Sequence, residues 1–261
     1  MRLLLALLLI VLGSPSALAF DPFAKAGIDR RPNAAVPLDT AFRDETGRTM
    51  TLRAAGEGRP ILLVPVVHRC PNICGLTLAG IGEAVQLQKF VSGRDFSLVA
   101  FGIDPREGPE AAAQSIAGLR QNFPALQSGV HGLTGDAASV AAVMKPLGYR
   151  YDWDADLNQY AHIAAVAVLT PDGRLSRWLY GITPDPTDVR LALTEAGEGR
   201  VGTWADELLL LCYHYYPQTG RYGSLIWTLL RVAGGATVLS GLAWIGLALR
   251  RERRRQQQAT R

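Results

Sequence analysis

Cysteine is scarce in this 261-residue chain, which has three: Cys70, Cys74 and Cys212. That excludes a scaffold stapled by several disulfides, and it excludes a four-cysteine structural zinc site, which needs two pairs. Aromatic residues are few, at 8%, yet 48% of the chain is hydrophobic and 19% charged, so disorder throughout is also excluded. Positive charge is lacking where nucleic acid would need it. The formal net charge is +4, but residues 250–261 carry six Arg and one Glu, a net of +5, which leaves residues 1–249 at −1. A protein that grips phosphates needs a basic face on its folded part, so nucleic acid is not an expected partner.

Long apolar runs occur at the two ends. Arg2 precedes a run from Leu3 to Leu12, and small residues follow, ending in Ala17-Leu18-Ala19. About ten strongly apolar residues are too few to span a bilayer, which needs about 20. Residues 1–19 therefore read as a signal peptide with an A-x-A cleavage site. The second run, residues 225–249, holds one charge, Arg231, and is long enough to span. Gly234, Gly235, Gly241 and Gly246 would weaken a soluble helix but are tolerated in membrane helices, and Arg250, Arg251, Arg253, Arg254 and Arg255 follow at once. Positive charge marks the cytoplasmic side. The expected topology is single-pass in a cell inner membrane, with the folded body exported to the periplasmic side and a basic tail, residues 250–261, in the cytoplasm.

Between the ends, residues 20–202 alternate short apolar runs with helical stretches. Ile61 to Val67 and Phe96 to Ile103 read as buried strands, followed by helices over Ile73 to Phe90 and Glu110 to Asn122. Asp136 is an N-cap for a third helix ending near Gly148. Ile163 to Leu169 is a strand, and Pro171-Asp172-Gly173 turns it into a hairpin with Arg174 to Tyr180. Strands separated by helices imply βαβ crossovers, and the terminal hairpin adds antiparallel pairs. The predicted fold is α/β and thioredoxin-like: a central mixed sheet flanked by helices, plus one C-terminal transmembrane helix. Residues 203–224 read as a juxtamembrane linker.

Cys70-Pro71-Asn72-Ile73-Cys74 directly follows a strand and opens a helix, where unpaired N–H groups and the helix dipole favour thiolate. An i, i+4 spacing on a helix would put both sulfurs on one face. The pair can close a disulfide or hold one soft ion. A purely stabilising disulfide would remove little chain entropy across so short a loop. Two sulfurs and an imidazole suit copper, since thiolates favour Cu(I) and a nitrogen ligand lets the same site hold Cu(II). Of His68, His131, His162 and His214, the third is the expected ligand. His162 precedes strand Ile163 to Leu169, and in a thioredoxin-like sheet the loop entering that strand lies beside the first strand-to-helix junction. His68, two residues from Cys70, is either a gate or auxiliary ligand or a plain solvated side chain. Cys212 and His214 are an i, i+2 pair before the apolar run. They can form an auxiliary copper relay, Cys212 can join two copies of the chain into a homodimer, or the segment is interfacial with a buried thiol.

These motifs together resemble the Sco/SenC family of membrane-tethered, thioredoxin-like copper proteins that help assemble cytochrome c oxidase. The likeness runs from about Ala34 to Leu193. It includes Cys70-Pro71-Asn72-Ile73-Cys74, Gly102-Ile103-Asp104-Pro105-Arg106, Leu133-Thr134-Gly135, Tyr160-Ala161-His162 and Pro171-Asp172-Gly173. The resemblance implies copper ligation by Cys70, Cys74 and His162, with a copper-containing oxidase subunit as the partner that receives the metal into a binuclear centre. Family members commonly have proline after the second cysteine and aspartate before the histidine; this chain has Gly75 and Ala161. Two functions compete: a membrane-tethered thiol-disulfide oxidoreductase, in which Cys70 attacks a client disulfide and Cys74 resolves the mixed disulfide, and a membrane-tethered interaction domain with an inert disulfide.

Overall fold

The computed structural model describes residues 26–31, 33–70, 73–155, 158–199, 215–216, 221–222, 233–242 and 244–246, with backbone alone at 73–74, 215–216 and 221–222. The chain divides into two compact units, Met1–Val201 and Gly202–Arg261.

The first unit opens with β1 (Gly27–Ile28), then a hairpin of β2 (Ala41–Arg43) and β3 (Thr49–Thr51). A one-turn helix, α1 (Leu52–Gly56), follows, capped by the Thr51 hydroxyl, which accepts the Ala54 N–H at 3.1 Å. Strand β4 (Ile61–Val66), helix α2 (Ile73–Gln86), strand β5 (Ser97–Gly102), helix α3 (Pro109–Asn122) and strand β6 (Val130–Leu133) then form two successive βαβ units. Helix α4 (Ala137–Met144) starts at Asp136, whose carboxylate accepts the Ser139 N–H at 2.7 Å. After β7 (Tyr149–Arg150) come a small hairpin, β8 (Asp152–Asp154) with β9 (Gln159–Ala161), and a larger one, β10 (Ala165–Leu169) with β11 (Leu175–Tyr180). Helix α5 (Pro186–Gly197) closes the unit.

The central sheet has the order β11-β10-β4-β5-β6. The pairs β4·β5 and β5·β6 are parallel, whereas β10 runs antiparallel to both β4 and β11. The expected mixed, thioredoxin-like sheet is the one observed. Strands β4, β5 and β10 are buried at every position, which explains their unbroken apolar sequence: both sheet faces are covered, so neither needs polar residues. Helix α2 packs beside α5, and α3 lies on β6. The α2 contact is close enough that a Cβ at Gly80 would stand 2.1 Å from the Ile182 carbonyl oxygen.

Element ends differ modestly from expectation. Helix α2 stops at Gln86 rather than Phe90, and α4 stops at Met144, where Gly148 at φ +71° turns the chain into β7. Several features escaped the periodicity reading: β1 and β7, the β2–β3 hairpin, α1, strand β6, the β8–β9 hairpin and helix α5.

In the second unit, β12 (Tyr215–Tyr216) pairs antiparallel with β13 (Arg221–Tyr222), inside the expected linker. The expected span over 225–249 is described at 233–242 and 244–246, where it is helical, with residues 233–242 exposed throughout. Among the described residues no helix is long and apolar enough to cross a membrane. The signal peptide at 1–19, the tail at 250–261, Cys212 and His214 lie outside the described residues.

Candidate functional site

Parallel pairing of β4, β5 and β6 sends three chain segments out of the same end of the sheet. The first carries His68, Arg69 and Cys70, the second Asp104 to Glu107, and the third Thr134 to Asp136. Because β10 is antiparallel to β4, its start lies at that end too. The register runs Ala167↔Leu63 to Leu169↔Ile61, so the segment entering β10, which carries His162, lies at the end of the sheet where the chain leaves β4. The topology thus gathers Cys70 and His162 at one sheet end although 92 positions separate them in sequence.

Cys70 is half-buried, packs against the core, and is held by its backbone N–H donating to the Val67 carbonyl at 3.0 Å. Cys74 lies in the first turn of α2. Cys70 itself is not helical; residues 71–72 and the side chain of Cys74 lie outside the described residues, and with them the expectation that both sulfurs share a helical face. Among the described side chains, which do not include that of Cys74, no three His, Cys, Asp or Glu groups gather as a metal requires.

The loop bearing Cys70 is tied down by a residue the sequence reading passed over. Glu107 accepts the His68 N–H at 2.7 Å and the Arg69 N–H at 2.6 Å, one with each carboxylate oxygen. Burial pushes its carboxyl above the usual value, opposed by these two N–H groups. Glu107 lies one residue beyond the segment Gly102 to Arg106, and that adjacency was its one sequence signal.

Asp104 is buried, and Arg106 reaches back to it with a shortest contact of 2.5 Å. Burial raises the Asp104 carboxyl, but hydrogen bonds from the Arg106 side chain and backbone, with its charge, outweigh that and hold it below the ordinary carboxylate range. So anchored, the Arg106 guanidinium lies 3.9 Å from the ring centre of Trp153 on β8, within cation–π range, and 5.8 Å from that of Tyr160 on β9. The β8–β9 hairpin, which leads into His162, is thereby fastened to the end of β5.

His162 is half-buried, and burial holds its imidazole below the usual value, so the ring is neutral near pH 7. Its Nδ1 lies 3.1 Å from Tyr149 Oη and 3.3 Å from the Ile163 carbonyl. The expectation of a solvated His68 is corrected. This residue is buried, with Nδ1 2.7 Å from Ser115 Oγ and Nε2 3.1 Å from the Leu133 carbonyl. Both ring nitrogens are committed to holding β4, α3 and β6 together, which leaves neither for a metal. Burial also lowers the pKa of this ring.

The family model for SCO1/SenC matches residues 30–194. No curated protein matches the chain. Among solved structures, a candidate electron transfer protein of Aquifex aeolicus VF5 is 20% identical, with a TM-score of 0.57 over 65% of this chain and 95% of its own. A SCO1/SenC family lipoprotein of Bacillus anthracis str. Ames is 17% identical, with a TM-score of 0.51 over 64% and 98%. Copper-bound ScoI of Arabidopsis thaliana is 17% identical, with a TM-score of 0.48 over 62% and 97%.

Proposed function

The chain belongs to the SCO1/SenC family, and from that premise we propose that it is a copper metallochaperone: it takes up one copper ion through Cys70, Cys74 and His162 and passes it to a copper-containing oxidase subunit by ligand exchange. The observation that carries the reading is the antiparallel placement of β10 beside β4, which puts His162 at the sheet end where Cys70 leaves β4. The donor set fits the cargo. Thiolates prefer Cu(I), and a neutral imidazole extends the site to Cu(II). Half-burial of Cys70 and His162 leaves the site accessible for a ligand from a partner to enter while the ion is still held. Only metal–ligand bonds are exchanged, those to this chain breaking as those to the acceptor form, so the activity is transfer rather than turnover. The test is to mix copper-loaded full-length protein with the metal-free domain of an oxidase subunit that carries a binuclear copper site. Appearance of that centre's absorption supports the reading, and copper that stays on this chain overturns it.

The same reading places the body on the exported side of a cell inner membrane, tethered by residues 225–249. In the described part of that segment Val238, Leu239, Leu242, Trp244 and Ile245 are exposed, as a lipid-facing helix requires, and the Thr237 hydroxyl donates to the Ala233 carbonyl at 2.8 Å, so it needs no water. A reporter fused after Arg261 is expected to work only as a cytoplasmic one; activity as an exported reporter would reverse the topology.

A further inference from the structure

The hydrogen bonds around Tyr149 determine which nitrogen of His162 carries its proton. Tyr149 Oη lies 2.7 Å from the Ile163 carbonyl oxygen. Two oxygens that close need a proton between them, and the phenol owns the only one, so Tyr149 donates to Ile163. Its oxygen is then left to accept from His162 Nδ1 at 3.1 Å. The other neighbour of Nδ1, the Ile163 carbonyl at 3.3 Å, can only accept. Both contacts call for N–H at Nδ1, which puts the lone pair of the neutral ring on Nε2.

We propose that Tyr149 is a positioning residue for copper binding: it holds the proton of His162 on Nδ1 and so presents Nε2 as the metal-binding nitrogen. This rests on the copper reading above. A histidine that binds a metal through one nitrogen commonly donates the other N–H to an oxygen that fixes tautomer and ring orientation. Ala161, next to His162, has no polar side chain to do this, and the oxygen comes instead from a residue 13 positions earlier. Tyr149 is itself immobilised. It is 3% exposed, its ring stacks on Trp178 of β11 with centroids 5.5 Å apart, and its backbone pairs with Ile28 of β1.

The test uses full-length protein with 15N-labelled histidine. Long-range proton–nitrogen correlation on the metal-free protein above pH 7 reads the tautomer, the His162 signals being assigned by their loss in His162→Ala. Competition with a chromogenic Cu(I) chelator reads affinity. Wild type is expected to show Nδ1–H at His162. Tyr149→Phe removes the 3.1 Å acceptor of Nδ1 and keeps the longer contact to the Ile163 carbonyl. The Nε2–H form gains population, and copper affinity falls about 10- to 100-fold, as on losing other outer partners of metal-binding histidines. Nε2–H in the wild type overturns the proposal without reference to any variant. So does a Tyr149→Phe protein in which either the tautomer or the affinity is unchanged. Unaltered copper affinity in His162→Ala would instead overturn the copper reading, while the metal-free spectrum would still report the Tyr149 contact by itself.

Discussion

Glu107 Oε1 accepts the backbone N–H of Arg69 at 2.6 Å, across 38 positions of sequence, at the residue immediately before Cys70. With its second bond, to the His68 N–H, it ties down the loop and answers a part-buried donor at the edge of the core.

Replacing this carboxylate by a methyl, in Glu107→Ala, is expected to cost about 1 kcal/mol, the lower end of the penalty for stranding a buried donor, because the His68 N–H is part-buried while the Arg69 N–H is exposed and can turn to water. Glu107→Gln, which keeps one acceptor oxygen, should lose less. Urea unfolding measures both. The rate of Cys70 alkylation in the metal-free protein should rise in the Ala variant, since the loop then samples more open states. Equal stability of Glu107→Ala and wild type would show that water satisfies those donors.

Asp104 gives the stability a defined acid limb. Its folded pKa lies below the ordinary value, so the native state binds fewer protons here than the unfolded chain. The stabilisation is therefore fully present above about pH 4, near the unfolded value, and is lost as pH falls through the folded pKa. Asp104→Asn should be less stable at pH 7 by about 1–3 kcal/mol, as expected for hydrogen bonds to a charged group. The gap from wild type should close below pH 4. Urea midpoints at a series of pH values check this, and a gap that stays constant would assign the effect to shape rather than charge.

One substitution is expected to have opposite signs on two helices. At Gly80 on α2 an added Cβ meets the Ile182 carbonyl at 2.1 Å, a backbone atom that cannot rotate away. Gly80→Ala should cost about 3 kcal/mol, the upper part of the range for overpacking. At exposed Gly118 on α3 the nearest atom is the end of the Asn122 side chain, 4.0 Å away. There Gly118→Ala should gain about 1 kcal/mol from helix propensity alone. Thermal or urea unfolding of the two variants reads both signs.

The fold was legible where burial on both sheet faces writes a continuous apolar run, as in Ile61 to Val66, and where turn chemistry is local, as in Pro171-Asp172-Gly173. Strand β6 was not, because His131 and Gly132 interrupt its pattern; as an edge strand it can carry them. Helix α5 did carry a signal, since Asp185 caps it by accepting the Thr187 N–H and Pro186 occupies its first turn, with Val189, Ala192, Leu193 and Ala196 buried along one stripe. The placement of Cys70 and His162 at the same sheet end followed from strand order. The roles of His68 and Tyr149 did not. His68 is set by Ser115 and Leu133, 47 and 65 positions away, and Tyr149 is held by pairing with Ile28. Such partners come together only once the chain has folded, so neither period nor spacing records them.

The most direct measurement is copper stoichiometry and Cu(I) affinity of the reduced full-length protein, in wild type, Cys70→Ser, Cys74→Ser and His162→Ala. One copper per chain is expected in wild type, with tight binding abolished in both serine variants because a hydroxyl is a poor ligand for Cu(I), and weakened in His162→Ala. Unchanged stoichiometry and affinity in any one of the three variants would contradict the assignment of that residue as a ligand, and unchanged values in all three would remove copper from the account of this site.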